Sequence, residues 1–328
     1  MKLYKIINKT PIFRIGNKII LKNRIGSESA HGMVYLTTFR DKKLFKYACK
    51  ITIATNKALI ENEIQEQLTR VVIKCPHFPI LYGTYQCNYM LDFNDSFKNS
   101  KSDDIPIQQD IKLYPKIIQK AMLENKQLLI TFNELASGDL NNFILNPTKF
   151  NSDEVFNALV QIYLSLMFYY QETRMMHCDA HGGNFLYHKI KKGGYFHYKL
   201  FDKDYYLENL GYLWIIWDFE QSIPFNNPNI PINIDFSYVL LSFLPNKKKQ
   251  ILDNKGWNTN IHYYNDEIIF NKIQVFSEDY YDITIKSSLK KLINALLDLF
   301  LKHKMIYDKL PKNSTIINKT PYVLSNLN

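Results

Sequence analysis

The sequence predicts a bilobal α+β fold in which a β-rich N-terminal part, residues 1–133, precedes a larger and mainly helical part, residues 134–328. Three observations predict this division. Short apolar runs typical of strands dominate the first part, whereas the longest segments with helical spacing follow residue 150. Small and polar residues at 134–140 form a connector between the two parts.

The N-terminal part is expected to form a sheet with one helix. Residues 59–68 carry apolar side chains at helical spacing, and the prolines at 76 and 79 end that helix. The polar and aperiodic stretch 94–110 is predicted to be a surface insertion. Strands are expected over residues 19–39, with a glycine-containing turn, and over 44–53, 80–85 and 128–132.

The C-terminal part contains the clearest helix signal of the chain, over residues 151–173. Asn151 can cap this helix, and Glu154 stands three positions later, as in a capping box. Residues 191–209 contain two glycines between tyrosine-rich runs and predict a hairpin-like insertion. The remaining expected elements are strands at 185–187 and 213–217 and helices at 235–244 and 285–303.

Composition restricts the class of protein. Hydrophobic residues make up 46% and charged residues 22% of the 328 residues, which favours a folded chain with a sizeable core. We expect no transmembrane span and no signal peptide, because no apolar stretch is long enough. The four cysteines form no CxxC pair, so a zinc ribbon is not expected. These features together predict a soluble, cytoplasmic protein with no membrane partner.

The net charge of +10 would suit an anionic ligand such as a nucleotide. A basic surface without a dedicated partner explains the same charge equally well. The paired tyrosines at 205–206, 263–264 and 280–281 are typical of packing more than of base stacking. We therefore expect no dedicated nucleic-acid binding.

One short constellation carries the predicted chemistry. Asp179 is followed five positions on by Asn184, and Asp218 comes directly after a later apolar strand. A carboxylate at the first position can orient a hydroxyl group, and Asn and Asp side chains offer the oxygen ligands that magnesium binds. The pattern predicts magnesium-dependent phosphoryl transfer, with Asp179 and Asn184 in catalytic roles and Asn184 and Asp218 as metal ligands.

With these residues the chain resembles the protein-kinase-like superfamily. The segment from His177 to Asn184 is similar to the catalytic loop of that superfamily, and Asp218 begins a segment similar to its DFG motif. Matches occur in order over residues 25–244. The resemblance implies a kinase-like fold with ATP and Mg²⁺ as cofactors and with ATP bound between two lobes.

The resemblance also assigns a nucleotide-binding set in the N-terminal part. Lys50 ends a segment similar to the strand motif whose lysine reaches the phosphates, and Glu63 is similar to the helix glutamate that pairs with this lysine. Glu134 opens a segment similar to the hinge. The glycine-rich loop is represented, in part, by Ile25, Gly26, Gly32 and Val34.

Several residues depart from the usual kinase pattern. His181 stands where most protein kinases have a lysine, and Glu220 replaces the glycine of DFG. His181 is expected either to contact a phosphate or to hold the loop by hydrogen bonds. The path from Asp218 to Asp235 is short, which predicts a truncated activation segment without a phosphorylation switch. The tyrosine-rich insertion before Asp218 resembles the serine/threonine kinases of giant DNA viruses.

The leading hypothesis is an ATP-dependent serine/threonine-protein kinase whose partners are ATP and a protein substrate. A viral protein of this kind could also be packaged in the virion. His181 and Glu220 keep open a small-molecule phosphotransferase of the aminoglycoside or choline kinase type. The incomplete glycine-rich loop and Glu28 within it keep open a pseudokinase that acts as a binding scaffold.

Overall fold

The fold combines a sheet-rich region with helices. The computed structural model describes residues 4–7, 10–15, 19–25, 32–39, 42–87, 116–144, 151–225, 227, 230–244, 267–283 and 288–325. The chain divides into two compact units, of which unit 1 is Met1–Glu66 with Ile80–Leu135 and unit 2 is Gln67–Pro79 with Ala136–Asn328. The surface insertion predicted at 94–110 lies outside the described residues.

In the described part of the chain, unit 1 contains a seven-stranded sheet with the order β1-β2-β3-β4-β5-β7-β6, and all neighbouring strands are antiparallel. The predicted strands of this part are confirmed, and β1 and β2 extend the sheet beyond them. The strands are β1 (Tyr4–Ile7), β2 (Thr10–Ile15), β3 (Ile19–Ile25), β4 (Gly32–Phe39), β5 (Lys42–Ile53), β6 (Leu81–Cys87) and β7 (Leu128–Glu134).

Among the described residues, two helices accompany the sheet of unit 1 where one was predicted, namely α1 (Asn56–Val71) and α2 (Lys116–Leu123). Successive side chains of a strand point to opposite faces, so β5 divides its residues between two environments. Cys49 and Ile51 join a hydrophobic core that also contains Ile117 and Ala121 of α2. Lys50 lies between them in sequence and therefore faces the other side of the sheet.

Unit 2 contains helices and several small sheets. Its helices in the described residues are α3 (Leu140–Ile144), α4 (Ser152–Thr173), α5 (Ile234–Phe243), α6 (Glu267–Asp282) and α7 (Leu289–Lys302). Its strands are β8 (Gly138–Asp139), β9 (Met175–Met176), β10 (Phe185–Lys189), β11 (Tyr195–Leu200), β12 (Lys203–Glu208), β13 (Tyr212–Ile216), β14 (Ile223–Pro224) and β15 (Tyr322–Leu324). They pair in the orders β13-β10-β8, β12-β11-β15 and β14-β9.

Helix α4 is the central element of unit 2. Its residues from Ala158 to Tyr170 are all buried, so apolar side chains surround it on every side. The capping box predicted from the sequence is present, because Asn151 Oδ1 accepts from Glu154 N at 2.9 Å and Asn151 N donates to Glu154 Oε2 at 3.1 Å. Such caps satisfy backbone N–H groups that the helix itself leaves unpaired.

Residues 195–208 form an antiparallel hairpin of β11 and β12, inside the segment where a hairpin-like insertion was predicted. The C-terminal strand β15 adds to this hairpin in parallel, with Tyr198 opposite Tyr322. A side-chain clamp supports the addition, because Asn318 accepts from His197 N and donates to His197 O. The end of the chain is therefore part of unit 2. Each helix of the described residues is too short or too polar to cross a membrane.

Candidate active site

The loop that contains Asp179 is held by one buried carboxylate. Asp235 is 0% exposed, and it accepts hydrogen bonds from the backbone N–H groups of His177 at 2.7 Å and Cys178 at 2.8 Å. The hydroxyl of Tyr170 donates a third bond at 2.7 Å. Hydrogen bonds to a charged acceptor are stronger than neutral ones, so Asp235 fixes the backbone immediately before Asp179.

Asp179 and Asn184 form a pair across the loop. Asn184 Nδ2 donates to the Asp179 backbone carbonyl at 2.9 Å and to Asp179 Oδ2 at 3.1 Å. Both acceptors are oxygens, so the amide nitrogen must face Asp179, and Oδ1 is the atom that Asn184 can offer to a cation. The Asp179 side chain is 38% exposed, which leaves this carboxylate accessible to a second reactant.

Strand pairing brings Asn184 and Asp218 to the same edge of a sheet. In the antiparallel pair of β10 and β13, Phe185 lies opposite Ile216. Asn184 precedes the first of these residues, and its carbonyl accepts from the Trp217 backbone N–H at 2.9 Å. Asp218 follows directly, with φ at 66°. This left-handed conformation is uncommon for a residue with a side chain, although aspartate adopts it more readily than most residues.

An aromatic cluster supports the backbone between these residues. His177 Nε2 donates to the Trp217 carbonyl at 3.0 Å, and its Nδ1 accepts from Asp179 N at 3.3 Å. Phe219 stacks on Tyr169 with ring centroids 5.1 Å apart, and His177 meets Phe219 edge-on at 5.5 Å. His177 therefore connects the loop of Asp179 to the segment of Asp218 through hydrogen bonds.

His181 has a structural contact within the loop. Its Nδ1 accepts from Gly183 N at 3.0 Å, so the neutral ring carries its proton on Nε2. That Nε2 lies 3.6 Å from Asp179 Oδ2. Of the two roles left open by the sequence, these two contacts fit loop support, and they place the Nε2–H group of the ring near the Asp179 carboxylate.

Gly182 packs closely against α3. It is buried, and a Cβ atom at this position would collide with the Asn141 side chain of α3. Cys178 also lies in the loop, where burial, followed by the charges of Asp235 and Asp179, raises the pKa of its thiol to about 11. The thiol beside Asp179 is therefore neutral at physiological pH.

In unit 1, the partner of Lys50 is Glu61, and the pairing with Glu63 predicted from the resemblance is wrong. Lys50 Nζ donates to both carboxylate oxygens of Glu61, at 2.7 and 2.8 Å. These residues are 6% and 3% exposed, and Gln65 also donates to Glu61 at 3.1 Å. Two positions along an α-helix correspond to a rotation of about 200°, so Glu63 lies on the opposite, exposed side of α1.

Two other predicted nucleotide-binding residues of unit 1, Ile25 and Val34, lie on the same face of the sheet as Lys50. Ile25 is opposite Val34, and Val34 is opposite Lys50, so three neighbouring strands present these side chains on one face. A Cβ atom on Gly32 would lie 2.7 Å from the Thr52 side chain, which explains the need for glycine there. Glu134 accepts from Ile80 N at 3.3 Å. Gly26 lies outside the described residues.

Sequence reasoning missed Asp235 and Asn141 as residues that support the loop. Asp235 had a usable signal, because a carboxylate one residue inside an apolar helix must find buried hydrogen-bond donors. Asn141 had none, because its contact with Gly182 depends on the packing of α3 against the loop.

Comparisons with known proteins do not assign the chain to a family. No family model matches it. No curated protein matches it either. Among solved structures, the autoinhibited serine kinase domain of the giant muscle protein titin is similar over 91% of this chain and 84% of that one, with 13% sequence identity and a TM-score of 0.45. At this TM-score the similarity carries no argument, so the roles of the residues rest on the contacts described above.

Proposed function

We propose that the chain is a protein-kinase-like enzyme that transfers a phosphoryl group from ATP, with magnesium, to a hydroxyl acceptor, in the first place Ser or Thr of a protein. The observation that carries the proposal is the arrangement of Asp179, Asn184 and Asp218. Asn184 is bonded through its side chain to Asp179 and through its backbone to the residue before Asp218. A carboxylate next to two oxygen ligands for a hard cation is the equipment that phosphoryl transfer needs.

Each residue has a distinct role in the proposed reaction. Asp179 accepts the proton of the acceptor hydroxyl while the oxygen of that hydroxyl forms a bond to the γ-phosphorus of ATP. The bond between the γ-phosphorus and the β,γ-bridging oxygen breaks at the same time, which releases ADP. Oδ1 of Asn184 and the carboxylate of Asp218 would hold Mg²⁺, which neutralises charge on the phosphates. Lys50 is assigned to the phosphates, and Glu61 holds its ammonium group in place.

Thermal unfolding with ATP tests whether the chain binds the proposed cofactors. A ligand at 100 times its dissociation constant adds about 2.7 kcal/mol of stability. We expect ATP to raise the melting temperature of the wild-type protein in the presence of Mg²⁺ and to raise it less in EDTA. Asp218→Asn should remove the magnesium-dependent part. A wild-type chain without any magnesium-dependent stabilisation by ATP would instead support the scaffold hypothesis.

A small-molecule acceptor is the second candidate, and one observation favours it. After β14 pairs with β9, only residues 225–233 lead to α5 at Ile234. The hydroxyl of Ser222, directly before β14, already accepts a hydrogen bond from Tyr169 at 2.7 Å. The nine residues 225–233 are few to form a surface that binds a peptide substrate. Transfer from labelled ATP to aminoglycoside and choline-like alcohols, with no transfer to proteins, would favour this candidate over the first.

A further inference from the structure

Among the described residues, strand β13, which leads to Asp218, pairs with β10 on one side only. On its other side, its backbone groups bond to residues that are not in a strand. In an antiparallel pair, alternate residues direct their backbone groups away from the partner, and in β13 these are Tyr212, Trp214 and Ile216. Gln161 of α4 donates to the Tyr212 carbonyl at 3.0 Å and accepts from Trp214 N at 3.0 Å. His77 supplies the other contacts, because its Nδ1 lies 2.7 Å from the Trp214 carbonyl and its own carbonyl accepts from Ile216 N at 3.0 Å.

The hydrogen bonds of His77 define its protonation. The Trp214 carbonyl can only accept, so Nδ1 carries the proton. Nε2 is therefore an acceptor, and the hydroxyl of Tyr198 donates to it at 2.8 Å. His77 is 0% exposed, and burial lowers its pKa to about 4. The ring is thus neutral at physiological pH and has a fixed orientation between two partners.

Tyr198 belongs to the hairpin of β11 and β12. Its ring stacks on His77 with an interplanar angle of 7° and centroids 5.9 Å apart. Tyr322 of β15 packs edge-on against Tyr198 at 5.3 Å and against His77 at 6.3 Å. The hairpin and the C-terminal strand therefore enclose the side of His77 that faces away from β13.

We infer that His77 is a positioning residue for the metal ligand Asp218, and that the hairpin of β11 and β12 holds His77 in position through Tyr198. The inference rests on the proposed function, since it concerns the ligands assigned to the metal. The Trp214 carbonyl that His77 binds belongs to β13, which ends at Ile216, two residues before Asp218. A shift of this strand moves Asp218 relative to Asn184, and metal ligands tolerate small displacements poorly.

A positioning role and a purely structural role make different predictions. If His77 only stabilises unit 2, its replacement lowers the melting temperature but leaves the metal affinity of the folded protein unchanged. If it positions β13, the metal affinity falls as well. His77→Phe removes both side-chain bonds, whereas His77→Asn retains an amide donor that can reach the Trp214 carbonyl from a position close to that of Nδ1.

The experiment measures binding of Mn²⁺ by electron paramagnetic resonance in the presence of a non-hydrolysable ATP analogue, with folded protein verified by circular dichroism. We expect His77→Phe and Tyr198→Phe to raise the dissociation constant for Mn²⁺ about fivefold or more, and His77→Asn to recover part of the loss. Tyr205→Phe is the matched control, because Tyr205 is buried opposite Tyr198 on the same hairpin. It should bind Mn²⁺ as the wild type does.

Wild-type affinity in both folded His77→Phe and Tyr198→Phe would overturn the inference and leave the proposed function intact. If His77→Phe does not fold, Tyr198→Phe decides alone. An equal loss of Mn²⁺ affinity in Tyr198→Phe and Tyr205→Phe would also overturn it. Any change in the hairpin would then lower the affinity, whether or not it removes the bond to His77. A wild-type chain that binds no Mn²⁺ with the nucleotide analogue would contradict the proposed function itself, and the inference with it.

Discussion

The Asp235 carboxylate binds the backbone of His177 at 2.7 Å, two residues before Asp179. It also binds Cys178 and Tyr170, so three donors converge on one buried anion. The backbone at Cys178 has φ at 60°, an unusual value for a residue with a side chain. The Asp235 carboxylate stabilises this conformation, because it accepts hydrogen bonds from the backbone N–H groups of His177 and Cys178.

Asp235→Asn should therefore destabilise unit 2. The amide has one acceptor oxygen where the carboxylate has two. Its NH₂ group would point at a backbone N–H of the loop or at the Tyr170 hydroxyl, which now donate to Asp235. We expect a loss of roughly 2–4 kcal/mol in the free energy of unfolding, measured by urea denaturation. Tyr170→Phe, which removes one of the three donors, should cost about 1 kcal/mol. A loss below about 0.5 kcal/mol for Asp235→Asn would contradict this view of the loop.

The glutamate that pairs with Lys50 can be identified by two matched variants. Glu61→Gln weakens a buried ion pair and should cost about 3 kcal/mol in stability, because it removes the carboxylate charge that the Lys50 ammonium group contacts at 2.7 Å. Glu63→Gln changes an exposed side chain and should stay within about 0.5 kcal/mol of the wild type. Phosphoryl transfer should follow the same order. Equal effects of the two substitutions would show that the Lys50–Glu61 pair is not needed.

The collision predicted at Gly182 can be tested with a second glycine as the control. Gly182→Ala places a methyl group against the exposed side chain of Asn141, which can rotate away, and should cost about 1 kcal/mol. At Gly83→Ala the described residues, apart from the two chain neighbours, place no atom within 4 Å of the new methyl group, and stability should change by less than about 0.5 kcal/mol. In a double-mutant cycle, Asn141→Ala should recover part of the loss in Gly182→Ala. Additive effects would mean that the two residues do not collide.

Acid should destabilise the protein through His77. The pKa of this residue is about 4 in the folded chain, below its ordinary value of 6.5, because burial disfavours the charged ring. The unfolded chain therefore binds the proton first, and stability present above pH 6.5 is lost as the pH falls towards 4. The loss amounts to roughly 3 kcal/mol. Urea denaturation at a series of pH values should show a shallower decline for His77→Phe, and identical slopes would contradict the assignment.

Much of the fold could be predicted because its signals are local. The capping box of α4 needs only Asn151 and Glu154, and both bonds are present. The three-residue strand β15 could not be predicted, because it depends on pairing with β11, more than a hundred positions earlier in the chain. Helix α6 did have a signal that was overlooked, since its buried residues Ile273, Phe276 and Tyr280 recur at helical spacing.

For the site residues, the sequence predicted the positions in the motif but not all of the side-chain contacts. The motif spacing identified Asp179, Asn184 and Asp218, which the register of β10 and β13 brings to one edge. The motif could not choose between Glu61 and Glu63 on helix α1. The helical phase could have done so, because Glu61 lies on the same side of α1 as the buried residues Ala58 and Leu68.

The most direct measurement of the central claim is the transfer of labelled phosphate from ATP in the presence of Mg²⁺, compared between the wild type and Asp179→Asn. The substitution keeps the size of the side chain and removes the group that accepts the proton. We predict transfer to a protein or small-molecule hydroxyl by the wild type and a loss of about 10²–10⁴-fold in the variant. Equal rates for the two proteins, or no transfer by the wild type to any hydroxyl acceptor, would contradict the account.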